Sequence, residues 1–97
     1  MDDRIKKILE QIIDICSHDS TVDEIILYGS RAKGTHLPKS DIDIALRGSS
    51  LNMEELEQRI QSIETLIGID LVDIEHCKND LLKQEVEKYG ITIYRKI

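Results

Sequence analysis

The chain contains no phenylalanine and no tryptophan, and its aromatic residues are Tyr28, Tyr89 and Tyr94. A core built from it must be aliphatic, and 17 isoleucines among 97 residues supply one. Their β-branched side chains suit a sheet covered by helices. Few rings also leave little with which to stack a nucleobase, a task usually given to aromatic side chains. Cys16 and Cys77 are too few for a disulfide framework and lack metal-ligand spacing, so they read as reduced thiols packing as small hydrophobes in a cytoplasmic protein. No apolar run approaches the ~20 residues of a membrane span, and the charged start Met1-Asp-Asp-Arg-Ile-Lys-Lys7 lacks a signal-peptide core. Positive charge is not in excess. A net charge of −6 argues against a broad nucleic-acid surface, yet it leaves a nucleotide ligand open, because divalent ions join carboxylates to phosphates. With no repeat and no low-complexity linker, residues 1–97 read as one domain.

Hydrophobic periodicity predicts the elements in turn. Ile5, Ile8, Leu9, Ile12, Ile13 and Cys16 recur at helical spacing over residues 3–17. Residues 24–28 are too short and too uniformly apolar for an amphipathic helix and read as a buried strand stopped by Gly29. Residues 41–47 alternate as a second strand, with Asp41, Asp43 and Ala45 on one face and Ile42, Ile44 and Leu46 on the other. Between these strands there is room for about one helical turn but no crossover helix, which favours antiparallel pairing. Asn52 and Glu55 form a capping-box pattern, with Leu51 as a staple. The helix that follows extends to about Leu66, burying Met53, Leu56, Ile60, Ile63 and Ile67, and Gly68 is expected as its left-handed cap. Residues 69–75 read as a third strand. A helix capped by Asn79 follows to Tyr89, with Leu82, Val86 and Tyr89 inward, and residues 91–95 form a final edge strand. The expected fold class is α+β (mixed α/β): one small mixed sheet with helices packed on it.

Chemistry concentrates in Tyr28-Gly-Ser-Arg-Ala-Lys-Gly-Thr-His-Leu-Pro-Lys-Ser-Asp-Ile-Asp-Ile-Ala45. A strand ending in Gly29-Ser30 offers close backbone approach and amides for an anion. Asp41 and Asp43, two residues apart on a strand, project from one face about 6.5–7 Å apart. Carboxylates that close repel unless a cation lies between them, and an oxygen-only set suits Mg²⁺ or Mn²⁺ shared with phosphates. Arg31, Lys33 and Lys39 make the intervening loop basic in an acidic chain, which points to a small anionic ligand. This is no Walker A loop, since Gly-Lys-Ser/Thr is missing. His18 and His36 read as surface residues. Asp70 and Asp73 lie three apart, so in a regular strand only one of them shares a face with Asp41 and Asp43.

Gly29-Ser30, ten residues, then Asp41-x-Asp43 between strands resembles the signature of the DNA polymerase β-like nucleotidyltransferase superfamily. Leu27-Tyr-Gly-Ser-Arg-Ala-Lys-Gly34, Ser40-Asp-Ile-Asp-Ile-Ala45, Ile69-Asp-Leu-Val-Asp-Ile74 and Tyr89-Gly-Ile-Thr-Ile-Tyr94 are similar to its minimal nucleotidyltransferase (MNT) members. The resemblance implies transfer of a nucleoside monophosphate, AMP from ATP, to an acceptor hydroxyl, with release of pyrophosphate. It implies two Mg²⁺ ions, or Mn²⁺, on Asp41, Asp43 and a third carboxylate. By position that carboxylate is Asp70, with Asp73 the alternative. It places the triphosphate at Gly29 and Ser30, neutralised by Arg31, Lys33 and Lys39. Little of these 97 residues remains to build a base pocket or an acceptor site, so a second subunit is expected, and the resemblance implies a helical HEPN-type partner, with which many MNT proteins form complexes and which several of them adenylylate as antitoxins. A homodimer is compatible with the reading. The competing expectations are a non-enzymatic module that neutralises its partner by contact, and the catalytic subunit of a small-molecule, aminoglycoside-type transferase.

Overall fold

The computed structural model describes residues 2–97. The first helix, α1 (Asp3–Ser17), starts where the Asp2 side chain accepts from the Arg4 amide at 2.8 Å. It buries Ile5, Ile8, Leu9, Ile12 and Cys16, the stripe that the periodicity predicts. Then come β1 (Glu24–Tyr28), the single-turn α2 (Gly29–Lys33), β2 (Ile42–Arg47), α3 (Met53–Gln61), β3 (Ile69–Asp73), α4 (Asp80–Tyr89) and β4 (Ile91–Arg95). The sheet order is β3-β2-β1-β4. Because α2 is too short to cross over, β1 pairs antiparallel with β2, and also with β4. The longer connection through α3 allows β3 to lie parallel to β2. The fold is α+β, with β4 at an edge as expected.

Alternation along the strands makes two layers. Ile25, Leu27, Ile42, Ile44 and Leu46 face α1 and α3 and join Ile12, Leu56 and Ile60 in the main core. Each such fully buried side chain contributes about 1.5–3 kcal/mol. The opposite face carries a smaller cluster, Ile26, Tyr28, Ala45, Ile74 and Val86, on which α4 rests. Among the described residues no helix is long and apolar enough to cross a membrane.

Five details depart from the sequence expectation. Helix α3 ends at Gln61, where Ser62 Oγ donates to the Arg59 carbonyl at 2.5 Å and Gln61 Nε2 donates to the Ile69 carbonyl at 2.9 Å. Gly68 is therefore no left-handed cap; Gly29 and Gly34 are the glycines with positive φ. Strand β2 starts at Ile42, which leaves Asp41 just outside it, and β3 ends at Asp73. Tyr89, expected inward, is 43% exposed.

Candidate active site

The site grows from the ends of three adjacent strands. Tyr28, the last residue of β1, lies opposite Asp43 of β2, and Asp43 lies opposite Asp70 of β3. Neighbouring strands run about 4.8 Å apart, and in-register parallel partners share a face, so Asp43 and Asp70 stand side by side. Gly29 turns the chain out of β1 at φ 73°. A Cβ at Gly29 would overlap Asp43 Oδ2, so the missing side chain is what lets the carboxylate lie against the Gly29-Ser30 turn. A second glycine does the same for Asp41: a Cβ on Gly68 would sit 2.7 Å from Asp41 Oδ1. Across the sheet the order is therefore turn, Asp43, Asp70, with Asp41 above the backbone that enters β3.

Asp73 is not brought to this group. It lies opposite Leu46 on the other face, where its Oδ2 meets His76 Nδ1 at 2.8 Å and its Oδ1 is buried without a partner. Burial raises the Asp43 pKa above its usual range, assisted by Asp70, Asp41 and Glu85. Burial and then the charges of Asp43, Asp70 and Glu85 push the Tyr28 phenol up to about 12.

The three basic residues separate. Arg31 is buried, and its guanidinium donates to the Ser40 carbonyl at 2.9 and 3.1 Å and to the Pro38 carbonyl at 3.2 Å. Through Nε and Nη2 it braces the loop between α2 and β2. Lys39 is exposed on the turn before Asp41. Lys33 reaches back to α4, donating to Glu85 Oε1 at 2.6 Å.

A strand-end glycine turn against one of two register-paired carboxylates is an arrangement suited to nucleotidyl transfer, and similarity to known proteins agrees with it. The family profile described as polymerase beta, nucleotidyltransferase matches residues 10–96. The chain belongs to the polymerase beta nucleotidyltransferase family.

Other members of this nucleotidyltransferase fold resemble the chain over most of its length. A candidate protein adenylyltransferase of Methanocaldococcus jannaschii is 29% identical over 89 residues, 87% of this chain and 89% of the relative. A chain of a toxin–antitoxin complex crystallised with AMP-PNP superposes with TM-score 0.73 at 29% identity, covering 90% of this chain and 73% of that one. A chain of the complex between a tri-AMPylated Shewanella oneidensis HEPN toxin and its MNT antitoxin gives TM-score 0.68 at 25% identity, covering 94% and 72%.

Within this nucleotidyltransferase, the donor set decides whether metal ions fit. Asp41, Asp43 and Asp70 offer only oxygens. Among the described residues no group of three or more His, Cys, Asp and Glu side chains is drawn together closely enough to hold a metal ion by itself. Mg²⁺ is commonly held by one or two carboxylates plus phosphate oxygens and water, so an open carboxylate set sharing its ion with a triphosphate fits. Sequence reasoning did not single out Glu85 or Tyr28. Glu85 comes from α4, and nothing local in the sequence says which helix flank meets a strand end 42 residues away. Tyr28 was legible only as the last apolar residue of a strand.

Proposed function

We propose that the protein transfers AMP from ATP to a hydroxyl of a HEPN-type helical partner and so acts as an antitoxin, using Asp41, Asp43 and Asp70 to hold two Mg²⁺ ions, or Mn²⁺. The observation that carries the reading is the order turn, Asp43, Asp70 across three strand ends. The description of the Methanocaldococcus relative supports adenylyl transfer, and the toxin–antitoxin neighbours support the partner.

The chain's residues divide the work by position. Gly29 and Ser30 present backbone amides at the start of α2, where anions are favoured, and so take the β- and γ-phosphates on the β1 side. Lys33 adds charge to that side. Asp43, in the middle, lies next to both halves of the reaction. Asp70 stands on the β3 side, opposite the phosphate turn, where the acceptor enters. The acceptor oxygen attacks the α-phosphorus in line with the departing pyrophosphate, the P–O bond to pyrophosphate breaks, and the acceptor proton passes to solvent. Bound divalent ions would supply charge neutralisation and lower the pKa of the attacking hydroxyl.

Incubation with α-labelled ATP, Mg²⁺ and a HEPN-type helical partner protein should label the partner, while γ-labelled ATP should not. Asp43→Ala should slow labelling by at least ~10³-fold, a loss of about 4 kcal/mol of transition-state stabilisation. Absence of transfer, or transfer indifferent to Asp43→Ala, overturns the proposal. Protection of cells by the Asp41→Ala/Asp43→Ala variant equal to wild type would show that contact alone neutralises the partner.

A further inference from the structure

Of the three cations that follow β1, one is tied to a distant helix, α4. Arg31 is committed to the Ser40 and Pro38 carbonyls, and Lys39 stands in solvent. Lys33 is held from outside its own helix: its Nζ lies 2.6 Å from Glu85 Oε1, 52 residues on in sequence. The Tyr89 ring centroid lies 5.5 Å from the same ammonium. Glu85 and Tyr89 are four apart on α4 and so share a flank. Val86, the residue after Glu85, packs in one cluster with Ile26 and Tyr28 of β1, which sets this part of α4 against the end of that strand. Both side chains of the pair are about one-third exposed, at 33% each.

Resting on the adenylyl-transfer reading above, we infer that Glu85 is a positioning residue that fixes Lys33 beside the phosphate turn before nucleotide arrives. A free lysine would have to give up its rotamer freedom on binding, and one already ordered by Glu85 and Tyr89 has given it up in advance. The arrangement costs the lysine little binding capacity. An ammonium has three donors; Glu85 takes one, which leaves two for phosphate oxygens. The pairing also screens a carboxylate that would otherwise oppose an incoming triphosphate. In this role Glu85 acts through Lys33, its partner at 2.6 Å.

The test is a double-mutant cycle read by calorimetry as the Kd for AMP-PNP with Mg²⁺. Glu85→Ala and Lys33→Ala should each weaken binding about 10-fold, the scale of a hydrogen bond to a charged group. The double variant should be no weaker than Lys33→Ala alone, because Glu85 has nothing left to position. Glu85→Gln keeps an oxygen for the ammonium and should fall between wild type and Glu85→Ala, which also guards against a variant that loses α4. Additive losses in the double variant, an unchanged Kd in Glu85→Ala, or tighter binding there each overturn the inference while leaving adenylyl transfer standing. Failure of the wild type to bind AMP-PNP overturns both.

Discussion

Gly29 meets two separate demands, and they can be told apart by comparison with Gly34. Both have left-handed φ, 73° and 77°. Alanine costs about 1–2 kcal/mol in that region. At Gly34 nothing lies within 4 Å of the added methyl, whereas at Gly29 it collides with Asp43 Oδ2. Gly34→Ala should thus lower Tm by ~5–15 °C and keep AMP-PNP binding, while Gly29→Ala should lower Tm at least as far and abolish binding. Thermal melts and calorimetry on the pair check this; retained binding in Gly29→Ala would show that Asp43 can yield. Asp43 itself gives a pH signature. Its folded pKa is raised, so between the ordinary value of 3.8 and the folded value the native state holds the proton more tightly than the unfolded chain. Stability of chelator-treated protein must fall as pH rises through that window and stay lower above it. Asp43→Asn should therefore melt higher than wild type at pH 7 without divalent ions, and the gap should close below about pH 3.8. At this scale the Gly-Ser turn and the carboxylate pair were legible from residue type and spacing. The reason that the glycine is needed was not, because the carboxylate it accommodates arrives from the next strand.

The elements were predicted in the right order because hydrophobic period reports which side of each one is covered. The end of α3 was not, for the same reason: Ile63 is buried and Ile67 half-buried, continuing the stripe beyond the point where the helix stops. The break comes from Ser62 and Thr65, whose hydroxyls bond nearby backbone groups, the Arg59 carbonyl and the Ile67 amide. Parity showed that Asp70 and Asp73 take opposite faces, but only the β2–β3 register shows which one stands beside Asp43. Register also makes Glu24 a three-strand tie. It lies opposite Arg47 on β2 and Arg95 on β4, accepting from Arg47 Nε at 3.2 Å, Thr92 Oγ1 at 2.6 Å and Arg95 at 3.2 Å. The Thr92 hydrogen bond leads in holding its pKa below the usual 4.5, with the two arginines assisting. A lowered folded pKa stabilises above 4.5 and loses that contribution as pH falls through the folded value. Glu24→Gln keeps the threonine bond and loses the charge. With both arginines well solvated, it should cost about 1 kcal/mol at pH 7, or ~4–8 °C in Tm, and progressively less below pH 4.5. An equal loss at pH 3 would show that packing, not charge, makes the tie.

At the scale of the whole molecule, the two faces of the sheet are unequal. One is sealed by α1 and α3 over an aliphatic core, and the other is crossed by α4 above a small cluster, leaving Asp43 half-buried and Asp70 exposed at its end. A chain with net charge −6 that gathers Asp41, Asp43, Asp70 and Glu85 at one place opposes a polyanion there unless cations accompany it. Nucleotide and divalent ion should therefore bind as a unit and stabilise the fold by mass action. At 100 times its Kd, AMP-PNP with Mg²⁺ should add about 2.7 kcal/mol, raising Tm by ~10–20 °C. AMP-PNP with a chelator should give no such rise, and neither should AMP-PNP with Mg²⁺ on the Asp41→Ala/Asp43→Ala variant. A full shift in the chelator would mean that the phosphates are held by the Gly29-Ser30 amides and Lys33 alone, with the carboxylates reserved for the acceptor.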